Sequence, residues 1–210
     1  MKILALEFSS SQRSVAVVQP GEFHEALGAS EPFALIQQAL RDAKLEREQI
    51  DCIAIGLGPG SYTGVRSAIS IAQGWQLART IKLLGISSAQ AIAAQAQADG
   101  LSGRIKVIVD AQRGEFYLAG YDLTANGARE VEPLRIVSAT EVAQHANAGE
   151  TLVGPEVTKW FPAGKIVFPR AAILGQLALG RTDFIPGEKM EPIYLRETQF
   201  VKAPPPRIIG

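Results

Sequence analysis

The chain has 210 residues, 47% of them apolar and 20% charged, with Lys+Arg and Asp+Glu balanced at 21 each. That is room for one large or two small domains with a real core, and it excludes a disordered chain. The zero formal charge argues against nucleic-acid binding by this chain alone, which calls for a basic excess.

A single cysteine, and two histidines as far apart as His24 and His145, exclude an internal disulfide and a multi-cysteine zinc site. No metal and no cofactor is expected. Met1–Glu7 reaches a carboxylate too early for a signal peptide, and no apolar run is long enough to span a membrane. A cytoplasmic protein without membrane attachment is the expectation.

In chain order, Ile3–Leu6 and Ser14–Val18 flank the turn-rich Ser9–Gln12 and read as a β-hairpin. The segment from Gly21 to Pro32 is short, which predicts a frayed third strand. Phe33 to Lys44 places Leu35, Ile36, Ala39, Leu40 and Ala43 at helical period behind the entry signal Glu31-Pro32. Ile53–Leu57 is a buried-type strand broken by Gly58-Pro59-Gly60, and Thr63-Gly64 opens a long helix to about Arg79. Lys82–Ile86 is a strand, and Ser87-Ser88 is placed to cap an alanine-rich helix to Asp99.

The second half repeats this opening. Arg104–Asp110 is a strand ending in an acid, as Ile3–Glu7 does; a turn Ala111–Gly114 follows, then the alternating strand Glu115–Tyr121. Glu7 and Asp110 thus stand about half a chain apart, each before a Gln-Arg pair (Gln12-Arg13, Gln112-Arg113), the spacing of an internal duplication. A weaker strand spans Glu130–Val137, with a helix at Ala139–Asn147. Strands follow at Thr151–Gly154 and Lys165–Phe168, then a helix at Ala171–Leu179. From Pro186 the tail is irregular, and Pro204-Pro205-Pro206 cannot be helical. The pattern is α/β, with two similar lobes at 1–102 and 103–210.

The segment Gly58-Pro59-Gly60-Ser61-Tyr62-Thr63-Gly64-Val65-Arg66 is a strand-to-helix turn. Exposed N–H groups at a helix start suit an anion, while the same glycines also serve a turn that needs positive φ. No lysine follows the last glycine, so it is not a Walker A loop. As a word it resembles the signature of the TsaB (YeaZ) family of bacterial tRNA threonylcarbamoyladenosine synthesis. Met1–Glu7, Ile108–Tyr117 and Glu191-Pro192-Ile193-Tyr194-Leu195-Arg196 continue the resemblance.

The resemblance implies two RNase H-like lobes of the duplicated actin/Hsp70-like (ASKHA) fold, with mixed sheets flanked by helices. It implies a non-catalytic subunit that pairs with the paralogous transferase TsaD and works with the ATPase TsaE. With zero net charge to drive binding by this chain alone, tRNA is expected to be reached only through that complex. ATP-hydrolysing relatives of the fold place Asp and then glycine after the first strand; Glu7-Phe8-Ser9-Ser10-Ser11 has a longer acid and no glycine, which disfavours nucleotide turnover. Metal-binding TsaD-type relatives carry paired helix histidines, and Phe33–Lys44 has none.

Glu7 and Asp110 are candidate cleft acids facing each other, with hairpin-end acids satisfied by turn N–H groups as the alternative. Cys52 reads as a buried thiol. No histidine stands in readable relation to Ser9–Ser11 or Ser61, which disfavours a Ser-His hydrolase.

From Ser67 to Ala78 there is no charged residue. Ser67, Ser70, Gln73, Gly74 and Leu77 lie on the side away from Val65, Ala68, Ala72 and Trp75, and Ser70, Gly74 and Ala78 recur every four residues. Small residues at that spacing let helices approach closely. With Phe33, Ile36 and Leu40 of the preceding helix this is the candidate partner face, serving a homodimer alone and a pseudo-symmetric heterodimer with TsaD. The alternative is that the chain's own helix covers it. Two other functions compete: an ATP-binding or ATP-hydrolysing enzyme of the actin-like fold, and a metallopeptidase-like protein.

Overall fold

Alternating side chains divide β1 (Ile3–Glu7) between two cores. Leu4 and Leu6 face one, Ile3 and Ala5 the other, and all four are fully buried, as a central strand covered on both faces requires. The computed structural model describes residues 1–28 and 30–196. In it β1 pairs antiparallel with β2 (Arg13–Gln19), and β2 with β3 (Glu22–Gly28). On its other side β1 pairs parallel with β4 (Cys52–Gly56), and β4 with β5 (Lys82–Ile86). The order is β3-β2-β1-β4-β5.

The second sheet has the same plan. The centre is β6 (Gly103–Asp110), antiparallel to β7 (Glu115–Thr124), which pairs antiparallel with β8 (Gly127–Ser138). On the other side β9 (Thr151–Gly154) and the short β10 (Lys165–Ile166) are parallel to it, giving β10-β9-β6-β7-β8. The duplication expected from the strand-acid-turn-strand repeat is therefore present strand for strand.

The expected fraying of the third strand is corrected. The seven residues of β3 pair fully with β2, from Gln19 opposite Glu22 to Arg13 opposite Gly28. Gly21, at φ 83°, makes so tight a turn that no residue is lost from the strand.

Helices α1 (Pro32–Asp42) and α2 (Tyr62–Ala78) cover one face of the first sheet. The next two, α3 (Ser88–Ala98) and α4 (Ala139–Asn147), cover opposite faces of the second sheet. The last, α5 (Ala171–Ala178), packs on the free face of the first sheet and against α3. Each half thus lends a helix to the space between the sheets. The division at 102/103 falls between the two sheets but not between the packed units. Both inner helices are built for close quarters: Ala89, Ala91, Ala93 and Ala96 are fully buried, and a Cβ at Gly175 would overlap Val18.

After α5 the chain returns along the first lobe as an irregular but well-tied strap. Ile185 N–H donates to the Leu83 carbonyl, Gly187 N–H to Gln76 Oε1 (2.9 Å) and Ile193 N–H to the Leu57 carbonyl (2.8 Å). Met190 is buried in the α2-side core. The tail expected to be irregular from Pro186 is so as far as Arg196, apart from a 3-10 turn at Gly187–Lys189, and Pro204-Pro205-Pro206 lies outside the described residues.

Candidate functional site

A cleft of about 870 Å³ opens between the lobes. Its walls are the two equivalent hairpin turns, Ser9–Arg13 and Asp110–Arg113, and Gly60–Tyr62, Trp160, Tyr194 and Arg196 complete its lining. Both Gln-Arg pairs lie on these turns, and both arginines line the cleft.

The two acids do not face each other across it. Glu7 is fully buried: one carboxylate oxygen accepts the Ser9 N–H (2.8 Å) and the other the Ser88 hydroxyl (2.9 Å). Gly56 lies so close that a Cβ there would overlap this carboxylate. Burial pushes the Glu7 carboxyl above its ordinary value, against the opposing pull of the hydrogen bonds from Ser9 and Ser88. Asp110 does line the cleft, but its oxygens accept the Gln112 backbone and side-chain N–H groups, each at 2.8 Å. Both acids thus close their own turns by accepting the N–H two residues on. The reading of hairpin-end acids holds, and Glu7 as a cleft acid is corrected: its pocket is sealed by β4 and by the start of α3. Ser88 was legible only as a cap. Its hydroxyl instead joins Glu7 to the Gly58 N–H (3.1 Å).

The glycine word is packed against its own chain. A Cβ at Gly60 would overlap the Ser9 carbonyl, and one at Gly64 the Phe8 carbonyl. Ser61 N–H donates to the Ser9 carbonyl (2.7 Å), and Ser61 Oγ caps α2 by accepting from Gly64 N–H (3.2 Å). These glycines serve close backbone approach. Pro59 lies between Gly58 and Gly60, and Thr63 is exposed in the first turn of α2. Tyr62 stands out at 54% exposure, with Arg66 donating to its hydroxyl (2.6 Å) and lying over its ring.

On α2, Val65, Ala68 and Ala72 are buried, while Ser70 and Gly74 are exposed and Leu77 is 90% exposed. A Cβ at Gly74 would meet nothing within 4 Å, so α1 does not cover this face. Ser67 is half-buried. Gln73 is already engaged, donating to the Gly187 carbonyl (2.8 Å). On α1, Phe33 is exposed, whereas Ile36 and Leu40 are buried in the core. The last two are corrected as partner residues: the helical stripe they belong to is the one that packs on the sheet.

Cys52 is fully buried, its thiol pushed up to about 11 by burial, which leaves it inert. His24 pairs with Glu22 and His145 with Glu150, each at 2.7 Å, and neither lines the cleft. Among the described residues no three His, Cys, Asp or Glu side chains are grouped to hold a metal, and no helix is long and apolar enough to cross a membrane.

Sequence reasoning gave Tyr194 and Arg196 no role beyond a C-terminal word. Their reach across the cleft depends on the path of the strap, which no local pattern encodes.

A family model described as "TsaD: tRNA N6-adenosine threonylcarbamoyltransferase" matches residues 31–189. The chain is 29% identical to "tRNA threonylcarbamoyladenosine biosynthesis protein TsaB" of Escherichia coli (strain K12), over 93% of this chain and 95% of that protein. It is 30% identical to the Haemophilus influenzae protein of the same description, over 57% of this chain and 53% of that one. The solved structure "YeaZ from Pseudomonas aeruginosa" superposes with a TM-score of 0.80 at 25% identity, over 92% of this chain and 99% of that one.

Proposed function

The chain belongs to the TsaB/TsaD family of tRNA threonylcarbamoyladenosine biosynthesis, and from that premise we propose that it is a non-catalytic, activating subunit of the threonylcarbamoyl-transfer complex. It pairs through the outer face of α2 with the TsaD-type transferase subunit, and the assembly works with the TsaE-type ATPase in the cytoplasm. Adenosine 37 of ANN-decoding tRNAs is the acceptor, reached through the complex. Without its partner the chain forms a homodimer through the same face, because a paralogue sharing the fold can replace a second copy by an approximate two-fold.

The observation that carries this reading is the open, uncharged face of α2. A helix on a sheet normally turns charge to water, yet α2 exposes Ser70, Gly74 and Leu77 over a span with no charge. Depletion of charge is the mark of an interface centre. The sealed Glu7 and the self-engaged Asp110 support the absence of turnover, since neither carboxylate is poised to take a proton from a bound substrate.

The test is reconstitution of the transfer reaction with the TsaD-type and TsaE-type subunits. Modified nucleoside should form in tRNA only when this chain is added, and this chain alone should neither modify tRNA nor hydrolyse ATP. Unchanged product yield without it, or ATP turnover by the chain alone that Glu7→Ala abolishes, would refute the reading.

A further inference from the structure

The two sequence words of this chain, about 130 residues apart (Tyr62 to Tyr194), meet in space. Tyr194 lies against Tyr62 with ring centroids 5.3 Å apart, and Tyr62 is itself held by Arg66. Just before that contact the strap is pinned to the first lobe by Ile193 N–H on the Leu57 carbonyl. Two residues after it, Arg196 reaches the opposite lobe. Its Nη2 donates to the Ala111 carbonyl (3.0 Å) and to Glu115 Oε2 (2.5 Å), with the Gln112 carbonyl at 3.4 Å.

What Arg196 grips is a strained turn. Gln112 and Arg113 sit at φ 65° and 59°, a left-handed conformation unfavourable for both side chains. The turn's own ties are few: Asp110 on Gln112, Ala111 N–H on the Glu115 carbonyl, and Glu115 N–H on the Gln112 carbonyl. Its counterpart in the first lobe has no such need, because Gly60, Ser61 and Ser88 pack directly on Ser9 and Glu7. Elsewhere the lobes are joined by the α3–α5 packing.

We propose that Tyr62, Tyr194 and Arg196 form a clasp that closes the mouth of the interlobe cleft and holds the Asp110–Glu115 turn in its strained shape. Tyr62 is the seat on the first lobe, Tyr194 the joint and Arg196 the catch on the second. A guanidinium fits the catch because Nη2 alone carries two N–H bonds, enough to engage a carbonyl and a carboxylate at once. The clasp gives exposed Tyr62, at the start of the helix with the open face, a physical link to the second lobe. It does not depend on the proposed assembly, since every contact lies within one chain.

Amide hydrogen exchange of the isolated protein tests this. Arg196→Ala should speed exchange at Ala111 and Glu115 by about tenfold or more, and Tyr62→Ala by about threefold, with the sheet-centre amides of Val107 and Leu118 unchanged. Arg196→Lys, which keeps the charge on a shorter side chain with a single donor nitrogen, should fall between wild type and Arg196→Ala. Exchange in Arg196→Ala within about twofold of wild type would overturn the clasp. Acceleration in Arg196→Ala but none in Tyr62→Ala would overturn the role of Tyr62, and equal acceleration at Val107 and Leu118 would show general destabilisation instead.

Discussion

The turn after β1 and the turn after β6 are copies of one device, and the chain has treated them differently. In both, a strand-end carboxylate accepts the N–H two residues on. The first is sealed: Gly56, Gly60 and Gly64 bring β4 and the start of α2 onto it, and Ser88 closes it from α3. The second leaves its acid at the cleft, with φ positive at Gln112, Arg113 and Gly114, and is held by one arginine from the strap. A duplicated scaffold with one copy locked and one copy tethered presents no symmetric pair of accessible acids in the cleft. The locked copy anchors the start of α2, the helix whose outer face is proposed to meet a partner.

The sharpest way to break that contrast is to add one methyl group to each side. Gly60→Ala, at φ 148° and against the Ser9 carbonyl, should cost about 3 kcal/mol or more of unfolding free energy by urea titration. Gly114→Ala, at φ 76° with nothing within 4 Å of the new Cβ, should cost only about 1 kcal/mol. Similar losses at both sites would erase the distinction between locked and tethered.

Removing the acids gives a smaller separation. Glu7→Ala leaves the Ser9 N–H and the Ser88 hydroxyl buried without their acceptor, and should cost about 2–4 kcal/mol. Asp110→Ala leaves donors beside the cleft, where water replaces the carboxylate, and should cost about 1 kcal/mol or less. Denaturant midpoints of the two variants measure the difference.

The smallest expected effect is in pH dependence. Burial raises the Glu7 carboxyl above its ordinary value, so the folded chain binds that proton more tightly than the unfolded chain. The stabilisation from this site is fully present below the unfolded value and is lost as pH rises through the folded one. Glu7→Gln, neutral at every pH, should therefore show a flatter stability profile than wild type as pH rises above the ordinary carboxylate range. A steeper profile in the variant would reverse the sign.

Much of this was legible in the residues. Hydrophobic period, turn chemistry and the repeated strand-acid-turn placed nearly every element, and the glycine word marked the turn from β4 into α2. Three things were not. Whether a helix stripe faces a sheet or a partner is undecided by period alone, which is why Ile36 and Leu40 were expected outside and lie in the core. Which sheet an inner helix covers is set by the path of the chain, so α3 and α5 cross the apparent boundary; the alanine richness of α3 was the trace of its crowding. The sealing of Glu7 depends on Ser88, 81 residues away, and a strand-end acid carries no local sign of such a lid.

The most direct test of the proposed role is the affinity of the TsaD-type subunit for Ser70→Arg. Ser70 is exposed on α2, so the variant should fold with wild-type stability while placing a bulky charge in a close helix contact. Association by calorimetry or light scattering should weaken by about a hundredfold or more, with modified nucleoside falling in parallel. A folded Ser70→Arg protein that binds the transferase subunit with wild-type affinity would contradict the assignment of this face.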